Sequence, residues 1–491
     1  MDLDYLLEKK YAPYIILIFT ALVVYHLIYT FSGEFGLFAH NWHNNYSRQA
    51  YSWLQGRLDI PYDRPYLEIA FFGDRMYISF PPFPSIFLLP FVFFYGYNTP
   101  DHVIALGLSL VSMVYAYKLA LRILRDKKIA MFFALFLILG TNYLHISLWG
   151  AVWYLAQNMA FTLLLISIYY ATTDNKRHSF VSLFALAASM GCRPFNLLYL
   201  PIIFLLIAKR EDVDFKTYVR KVLVYAIPAI ILGGFYMWLN YARFGNVLQF
   251  GHNFLPEHTI VDPLGHLHPS RVVRNISMMF FGVDMSYPLR HGFPHYGRTS
   301  FAFWLASPMF ISYAVYHVIY VQKYKGKTLD DIIMRVIPVL VFIHIFLFSL
   351  HRTLGSRQFG SRYITDSLPI VFLGLMMLIA RISQGKEHEG APTFKPEKST
   401  TQVDAGADVE KNALIVIDAN EPERPEEVGS MPEHGSPERN HKEADTVVIQ
   451  GPRPIPLYRH ILYNTAPMIF GVLVNFHGTI MFLTFYFPFW H

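Results

Sequence analysis

Residues 14–31, YIILIFTALVVYHLIYTF, decide the class of fold. This stretch carries no Asp, Glu, Lys or Arg, and its length is close to the roughly 20 residues with which a helix crosses a bilayer. Mainly apolar stretches follow at residues 129–148, 161–171, 222–239 and 332–350. Because backbone amides and carbonyls cannot stay unpaired in lipid, these stretches are predicted to form membrane helices.

The composition agrees with a membrane protein. Of the 491 residues, 54% are hydrophobic and only 15% are charged, which is too little charge to cover a soluble protein of this length. The single cysteine, Cys192, excludes an internal disulfide framework. The net charge of +6 is attributed to cytosolic loops, and no nucleic-acid partner is expected. Lys9 and Lys10 precede the first apolar stretch, and no small-residue cleavage site follows it. We therefore expect a retained span and not a signal peptide.

Lysine and arginine positions predict the orientation, since cytosolic loops are enriched in both. With a cytosolic N-terminus, all 17 lysines fall at or beyond the cytosolic ends of the spans. The predicted spans are residues 12–32, 101–121, 129–147, 152–172, 179–191, 195–208, 219–240, 301–321, 332–350, 362–380 and 461–488. The expected fold is an all-α, multi-pass bundle of about 11 transmembrane helices in the plasma membrane. Its large first and fourth extracytoplasmic loops are residues 33–100 and 241–300.

Two segments depart from this pattern. Residues 78–97 are apolar but contain four prolines, which argues for a re-entrant or interfacial element instead of a span. Residues 384–456 are rich in Glu, Pro, Ser and Gly, which predicts a disordered cytosolic insert. The chain is thus divided into a transmembrane domain at residues 1–383, this insert, and a final transmembrane helix within 457–491.

The predicted external surface uses arginine and never lysine. Guanidinium groups bind phosphate oxygens in pairs and stay charged when partly desolvated. Headgroup anchoring is the alternative, but it does not explain the absence of lysine, so a phosphorylated ligand is favoured. The external arginines are Arg48, Arg57, Arg64, Arg75, Arg193, Arg243, Arg271, Arg274, Arg290, Arg298, Arg352, Arg357 and Arg362.

Two of these arginines lie where helices are predicted to break or begin. Arg193 stands in Gly-Cys-Arg-Pro between two short spans, and an ionisable residue at membrane depth indicates function. Arg362 begins a span one turn before Asp366. Asp366 is expected either to pair with Arg362 across four residues or to act in a buried site.

The first external loop contains residues 40–49, HNWHNNYSRQ, a mixture of amides, imidazoles and rings that suits sugar recognition. Asn44, Asn45, Arg48 and Arg75 are therefore candidate binding residues, with an interfacial aromatic belt as the alternative. Candidate bases in this loop are Glu68, whose apolar neighbours make a carboxylate more basic, and Glu34 at the end of the first span. A surface ion pair is the alternative for each carboxylate.

The second large loop offers a weaker signal for a metal. His266 and His268, with Asp262 or Glu257, have residue types that can ligate a divalent cation. Ordinary loop histidines are the favoured interpretation. The sequence therefore predicts no particular cofactor, and a divalent metal is kept as an alternative.

Several short motifs occur in a recognisable order. Residues 56–60, GRLDI, are followed by the Pro-Pro-Phe-Pro element at 81–84, a span ending in a basic cluster, and two short spans joined at Arg193-Pro194. Residues 240–246, NYARFGN, and 359–363, FGSRY, fit the same pattern. Over residues 1–380 the chain resembles the GT-C superfamily of glycosyltransferases, such as protein O-mannosyltransferases and lipid A aminoarabinose transferases.

The resemblance implies an inverting enzyme that takes a sugar from a polyprenyl-phosphate donor. The acceptor would be an extracytoplasmic cell-envelope glycan or lipid, and membrane lipids would surround the enzyme. Arg193, Arg362 and Arg357 would bind the donor phosphate. The acid usual in the first loop of this superfamily is absent from residues 41–45, and Ser79-Phe80 replace the usual lysine. His43, Glu34 or Glu68 would then serve as the base. A lipid-linked glycan flippase and a non-catalytic glycan-binding protein are the alternatives.

Overall fold

The computed structural model is mainly helical, with one β-hairpin among the residues it describes. These are residues 7, 9–32, 37–38, 41–61, 68–256, 264–282, 301–324, 326–355, 358–384 and 455–486. The helices are α1 Ala12–Ser32, α2 Asn45–Leu54, α3 Phe83–Tyr95, α4 Asp101–Leu124, α5 Lys127–Leu139, α6 Tyr143–Ser147, α7 Val152–Thr172, α8 His178–Met190, α9 Leu200–Glu211, α10 Phe215–Tyr225, α11 Ile227–Phe244, α12 Val272–Phe281, α13 Phe303–Ala306, α14 Met309–Lys323, α15 Leu329–Leu350, α16 Leu368–Gln384 and α17 Leu457–Tyr486. Strands β1 Ile69–Phe72 and β2 Arg75–Ile78 pair antiparallel, and 3₁₀ helices Pro194–Tyr199 and Arg362–Ser367 lead into α9 and α16.

Five helical stretches are long and apolar enough to cross a membrane: α1, α4, α7, α15 and the stretch Arg362–Gln384. Helices α10 and α11 qualify together, although they are bent by 54°. The prediction of a multi-pass membrane protein is confirmed at this level, whereas the count of about 11 spans stays a prediction. Some of the other predicted spans are helical but divided, as at Gly140, where the helix predicted for residues 129–147 separates into α5 and α6.

The proline-rich segment does not form a long straight helix. Its α3 has 13 residues, begins after Pro82 and contains Pro90. At 1.5 Å per residue this helix is about 20 Å long, which is shorter than the hydrocarbon core of a bilayer. The segment also includes Ile78, which ends the hairpin that the sequence analysis did not predict.

Helix α16 forms the centre of the bundle. Its residues Ile370, Val371, Phe372 and Leu373 are all fully buried, as expected for a helix that is apolar on every side. Helices α4, α7, α14 and α15 pack around it. Helix α1 lies at the edge, since only 22% of its apolar stretch is buried.

Polar side chains join the helices in the interior. The Tyr143 hydroxyl donates to the Asn158 side-chain carbonyl at 2.6 Å, and the Asn158 amide donates to the Ala105 carbonyl at 2.8 Å. Such bonds between helices stabilise membrane bundles, where the hydrophobic effect between helices is small. They connect α4, α6 and α7.

The last helix, α17, packs closely against the end of α5. A Cβ atom on Gly471 would lie 2.1 Å from the Gly140 carbonyl oxygen. The Asn475 amide donates to the Ala306 carbonyl at 2.8 Å and fixes α17 against α13. Glycine at residue 471 is therefore required by the approach of two backbones.

We predict that Gly471→Ala lowers the unfolding free energy by about 1–3 kcal/mol, because a backbone contact cannot yield to the added methyl group. The measurement is the midpoint of thermal unfolding in detergent. Gly107→Ala is the matched control, since a Cβ at this helical glycine meets nothing within 4 Å. Equal midpoints for the two variants would contradict the predicted close contact.

Candidate functional site

A cavity of about 900 Å³ lies where several helices end. Its walls come from the segment before α2, α2 itself, residue 68 before β1, the start of α7 and the turn after α8. The segment after β2, the loop after α11, residues 266 and 267, the end of α15 with the residues up to Gly355, and the start of the Arg362–Ser367 helix complete it. Four of the residues predicted to act as base or to bind the donor phosphate line this cavity: His43, Glu68, Arg193 and Arg362. The metal candidate His266 and the external arginine Arg352 line it as well.

The cavity and the basic clusters occupy opposite ends of the same helices. Helix α7 starts at the cavity with Trp153, and just beyond its other end Asp174 pairs with Arg122 at 2.7 Å. Helix α15 reaches the cavity at its C-terminal end and begins beside Asp330, which pairs with Lys209 at 2.6 Å. The residues predicted to be cytosolic are thus separated from the cavity by about 30 Å, the length of a 20-residue helix.

Arg193 reaches the cavity because α8 stops at Gly191. The Phe83 amide donates to the Gly191 carbonyl at 3.0 Å, and a Cβ on Gly191 would lie 2.8 Å from the Phe83 Cβ. Arg193 Nε donates to Asp366 Oδ2 at 3.0 Å, and its guanidinium lies 4.7 Å from the Tyr363 ring centre.

One of the two expectations for Asp366 was an ion pair with Arg362. Asp366 pairs with Arg193 instead. Residues 362–367 form a 3₁₀ helix with three residues per turn, so the four-residue spacing does not align the two side chains. Asp366 is buried and also accepts a hydrogen bond of 2.6 Å from the Gln157 amide. The other expectation, a buried site, matches this arrangement.

Arg362 is a buried cation of the cavity whose hydrogen-bond donors are only partly used. Its side chain is only 4% exposed, and its Nε and Nη1 make no hydrogen bond within the described part of the chain. The guanidinium stacks 4.7 Å from the Tyr363 ring centre and 5.3 Å from that of Tyr154. Gly355, with a φ of +89°, passes so close that a Cβ would lie 2.6 Å from Arg362 Nε. The two rings restrict the orientation of the guanidinium without using its hydrogen-bond donors.

Glu68 and His43 flank one aromatic side chain. Trp153 Nε1 donates to Glu68 Oε2 at 3.3 Å, and the His43 ring lies 5.0 Å from the Trp153 ring. Glu68 has a φ of +51°, an uncommon conformation for a residue with a side chain and one that occurs often at functional sites. The two described candidate bases therefore share a wall of the cavity.

The other predicted binding residues lie elsewhere. Arg48 Nε donates to Asn44 Oδ1 at 2.6 Å, and the Asn44 amide donates to the Tyr97 carbonyl at 3.0 Å, which ties α2 to the turn after α3. Asn45 is buried at the start of α2, and Arg75 is exposed on the hairpin. None of these four lines the cavity. Glu34 and Arg357 lie outside the described residues.

Several residues at the site were not predicted from the sequence. Tyr46 belongs to the polar and aromatic stretch that was singled out, and it lines the cavity. Gln157 does not line the cavity but donates to Asp366, and an amide within an apolar helix was a signal of such a buried role. Trp153 and Tyr154 carry no signal that separates them from other aromatic residues at a membrane interface.

The metal alternative receives no support from the described residues. No three His, Cys, Asp or Glu side chains among them lie together as a cation would require, and Glu257 and Asp262 lie outside the described part. His266 Nε2 bonds to Asn253 Oδ1 at 3.0 Å. Burial, together with the nearby cations Arg352 and Arg271, lowers the pKa of His266. The same positive charges oppose a divalent cation.

Comparison with known proteins gives one likeness. No protein-family model matches the sequence, and no curated protein matches it. The chain is similar to the crystal structure of ArnT from Cupriavidus metallidurans bound to undecaprenyl phosphate, with a TM-score of 0.43 and 12% identity. The similarity covers 76% of this chain and 61% of that chain, so this chain spans less than two thirds of its length. A likeness at this level does not establish a shared activity.

We predict that Asp366→Asn destabilises the protein by about 3 kcal/mol, because it leaves the Arg193 charge buried without its carboxylate. Thermal unfolding in detergent measures the change. Asp59→Asn is the matched control. Asp59 pairs with Arg57, whose side chain is 46% exposed, and such a pair contributes about 1 kcal/mol or less. A loss for Asp366→Asn no larger than that of the control would disprove the structural role of the buried pair.

Proposed function

We propose that the protein is a membrane glycosyltransferase that moves a sugar from a polyprenyl-phosphate donor to an extracytoplasmic acceptor in the cell envelope. The observation that carries this proposal is the Arg362 guanidinium, which is buried in the cavity with two nitrogens that make no bond among the described residues. Leaving such donors unsatisfied costs about 1–3 kcal/mol per group. A phosphate ligand would satisfy both at once.

Arg193 would be the second phosphate ligand. Its guanidinium and that of Arg362 both lie 4.7 Å from the Tyr363 ring centre, so one ring holds two cations at the same cavity. Asp366 neutralises one of the two charges and leaves a net positive charge for the phosphate. Fixed cations at this position would stabilise the negative charge that grows on the phosphate as it leaves.

Glu68 is the proposed base. It would accept the proton of the acceptor hydroxyl while the acceptor oxygen bonds to the anomeric carbon and the carbon–oxygen bond to phosphate breaks. Glu68 is the one carboxylate among the cavity residues that the structure describes. A single carboxylate suits direct displacement with inversion, whereas double displacement needs a second group as nucleophile. Trp153 offers a ring on which a sugar face can stack.

The basic clusters support an extracytoplasmic position for the cavity. They lie at the other end of α7 and α15, and positive residues favour the cytosol. This orientation would place the N-terminus in the cytosol of an integral plasma-membrane protein. The donor would then approach from the lipid, and the acceptor from the external side.

A flippase would need a polar path from the cavity to the basic end. In the described bundle, α9, α15 and α16 fill the interior with the fully buried side chains of Ile203, Ile337 and Ile370. We therefore favour transfer over transport. A non-catalytic glycan-binding protein would show no turnover, and this result would distinguish it from a transferase.

We predict that Arg362→Gln weakens binding of undecaprenyl phosphate by about tenfold to a hundredfold, because a charge-assisted bond is lost. Binding is measured on the full chain in lipid nanodiscs, with undecaprenol as the ligand that lacks phosphate. Arg75→Gln, an exposed arginine outside the cavity, is the control and should bind as the wild type does. If Arg362→Gln and the wild type bind equally, the phosphate site is elsewhere.

We predict that Glu68→Gln reduces turnover by about a hundredfold, since general-base catalysis contributes about 10²–10⁴, and leaves undecaprenyl phosphate binding unchanged. Turnover is the release of undecaprenyl phosphate from polyprenyl-phosphate sugars in a bacterial lipid extract that also supplies acceptors. Asp74→Asn, at the exposed hairpin turn, is the control. Glu34→Gln and His43→Ala test the other two candidate bases. Full turnover in all three variants, alone and combined, would refute base catalysis by these residues.

A further inference from the structure

The Tyr46 phenol is a cavity group that the proposed mechanism does not use. Tyr46 is the second residue of α2 and lines the cavity together with Glu68 and Arg193. Its side chain is only 2% exposed. The hydroxyl makes no hydrogen bond with any residue that the structure describes.

Packing explains the Tyr46 ring but not its hydroxyl. The ring meets the Phe80 ring edge-on, with 6.0 Å between centres, in the cluster formed by α2, α3 and the start of α7. A phenylalanine would make the same ring contact. A buried hydroxyl without a partner destabilises a protein, so its presence indicates a partner that binds in the cavity.

The electrostatic surroundings define what the hydroxyl can do. Burial raises the pKa of Tyr46 well above its ordinary value, and Cys192 and Glu68 raise it further, while Arg193 lowers it in part. The phenol therefore keeps its proton at neutral pH and acts as a donor. Tyr46 thus lines the same cavity as Glu68, the proposed base, and Arg193 and Arg362, the proposed phosphate ligands.

We propose that Tyr46 is a catalytic residue whose hydroxyl donates a hydrogen bond to the phosphate of the polyprenyl-phosphate donor. This rests on the proposed function. As the bond from the anomeric carbon to the phosphate oxygen breaks, both bonding electrons stay on that oxygen and the hydrogen bond strengthens. Tyr46 keeps its proton throughout, and the proton of the acceptor hydroxyl goes to Glu68. Donors from three side chains, those of Tyr46, Arg193 and Arg362, then hold the leaving phosphate.

Tyr46→Phe tests this role, because it removes one oxygen and keeps the ring. The full chain in nanodiscs is titrated with undecaprenyl phosphate and with undecaprenol, and turnover is measured in the lipid-extract assay. We expect about tenfold weaker binding of undecaprenyl phosphate and at least the same loss of turnover, as for one lost bond to a charged group. Undecaprenol binding and the thermal midpoint should not fall.

Tyr77→Phe is the matched control, since Tyr77 is a buried tyrosine of β2 outside the cavity, packed on Phe244. It should bind and turn over like the wild type. Equal undecaprenyl phosphate affinity in Tyr46→Phe and the wild type would overturn the role of Tyr46 while leaving the phosphate site intact. A wild type that binds undecaprenol as well as undecaprenyl phosphate would overturn the phosphate site itself, and the role of Tyr46 with it.

Discussion

The buried carboxylate of Asp366 holds the site together. A charge at this depth is tolerated only with close partners, and Arg193 at 3.0 Å and Gln157 at 2.6 Å supply them. The three residues belong to three separate segments: the turn after α8, the N-terminal part of α7 and the 3₁₀ helix before α16. One carboxylate therefore sets the mutual positions of these segments. The same 3₁₀ helix begins with Arg362, so the location of the second cation follows from the pairing of the first.

Aromatic rings explain why these cations are arginines. Both guanidinium groups lie over the Tyr363 ring, and that of Arg362 also lies over Tyr154. A planar guanidinium can contact a ring with its face and still donate hydrogen bonds from its edge. An ammonium group has no planar edge and would be drawn toward one partner. Gly355 lets backbone pass beside Arg362, and Gly191 lies against Tyr236 and Phe83, so a methyl group at either residue would collide with these neighbours.

Much of this fold follows from local signals in the sequence. Apolar blocks predicted the multi-pass class, and Gly-Cys-Arg-Pro predicted the helix break that presents Arg193. Both predictions succeeded because each signal lies within a run of consecutive residues. The partner of Asp366 could not be predicted, since Arg193 lies 173 residues away and the four-residue rule assumes an α-helix. Arginine and amide side chains among aromatic residues form the same sequence pattern whether they stabilise a turn or bind a sugar. The packing role of Arg48 and Asn44 could therefore not be distinguished from sugar binding by sequence. The hairpin was missed because its strands have only four residues each.

The last helix supports the site from behind. A Cβ on Gly478 would lie 2.1 Å from the Phe359 ring, three residues before Arg362, and Thr479 bonds to His145 at 3.3 Å. In the chain, this helix follows residues 385–454. During synthesis the ribosome must therefore add about 70 residues after α16 before the helix behind Arg362 exists, at about 5–20 residues per second. The support behind Arg362 is consequently added at least several seconds after α16 itself has been synthesised.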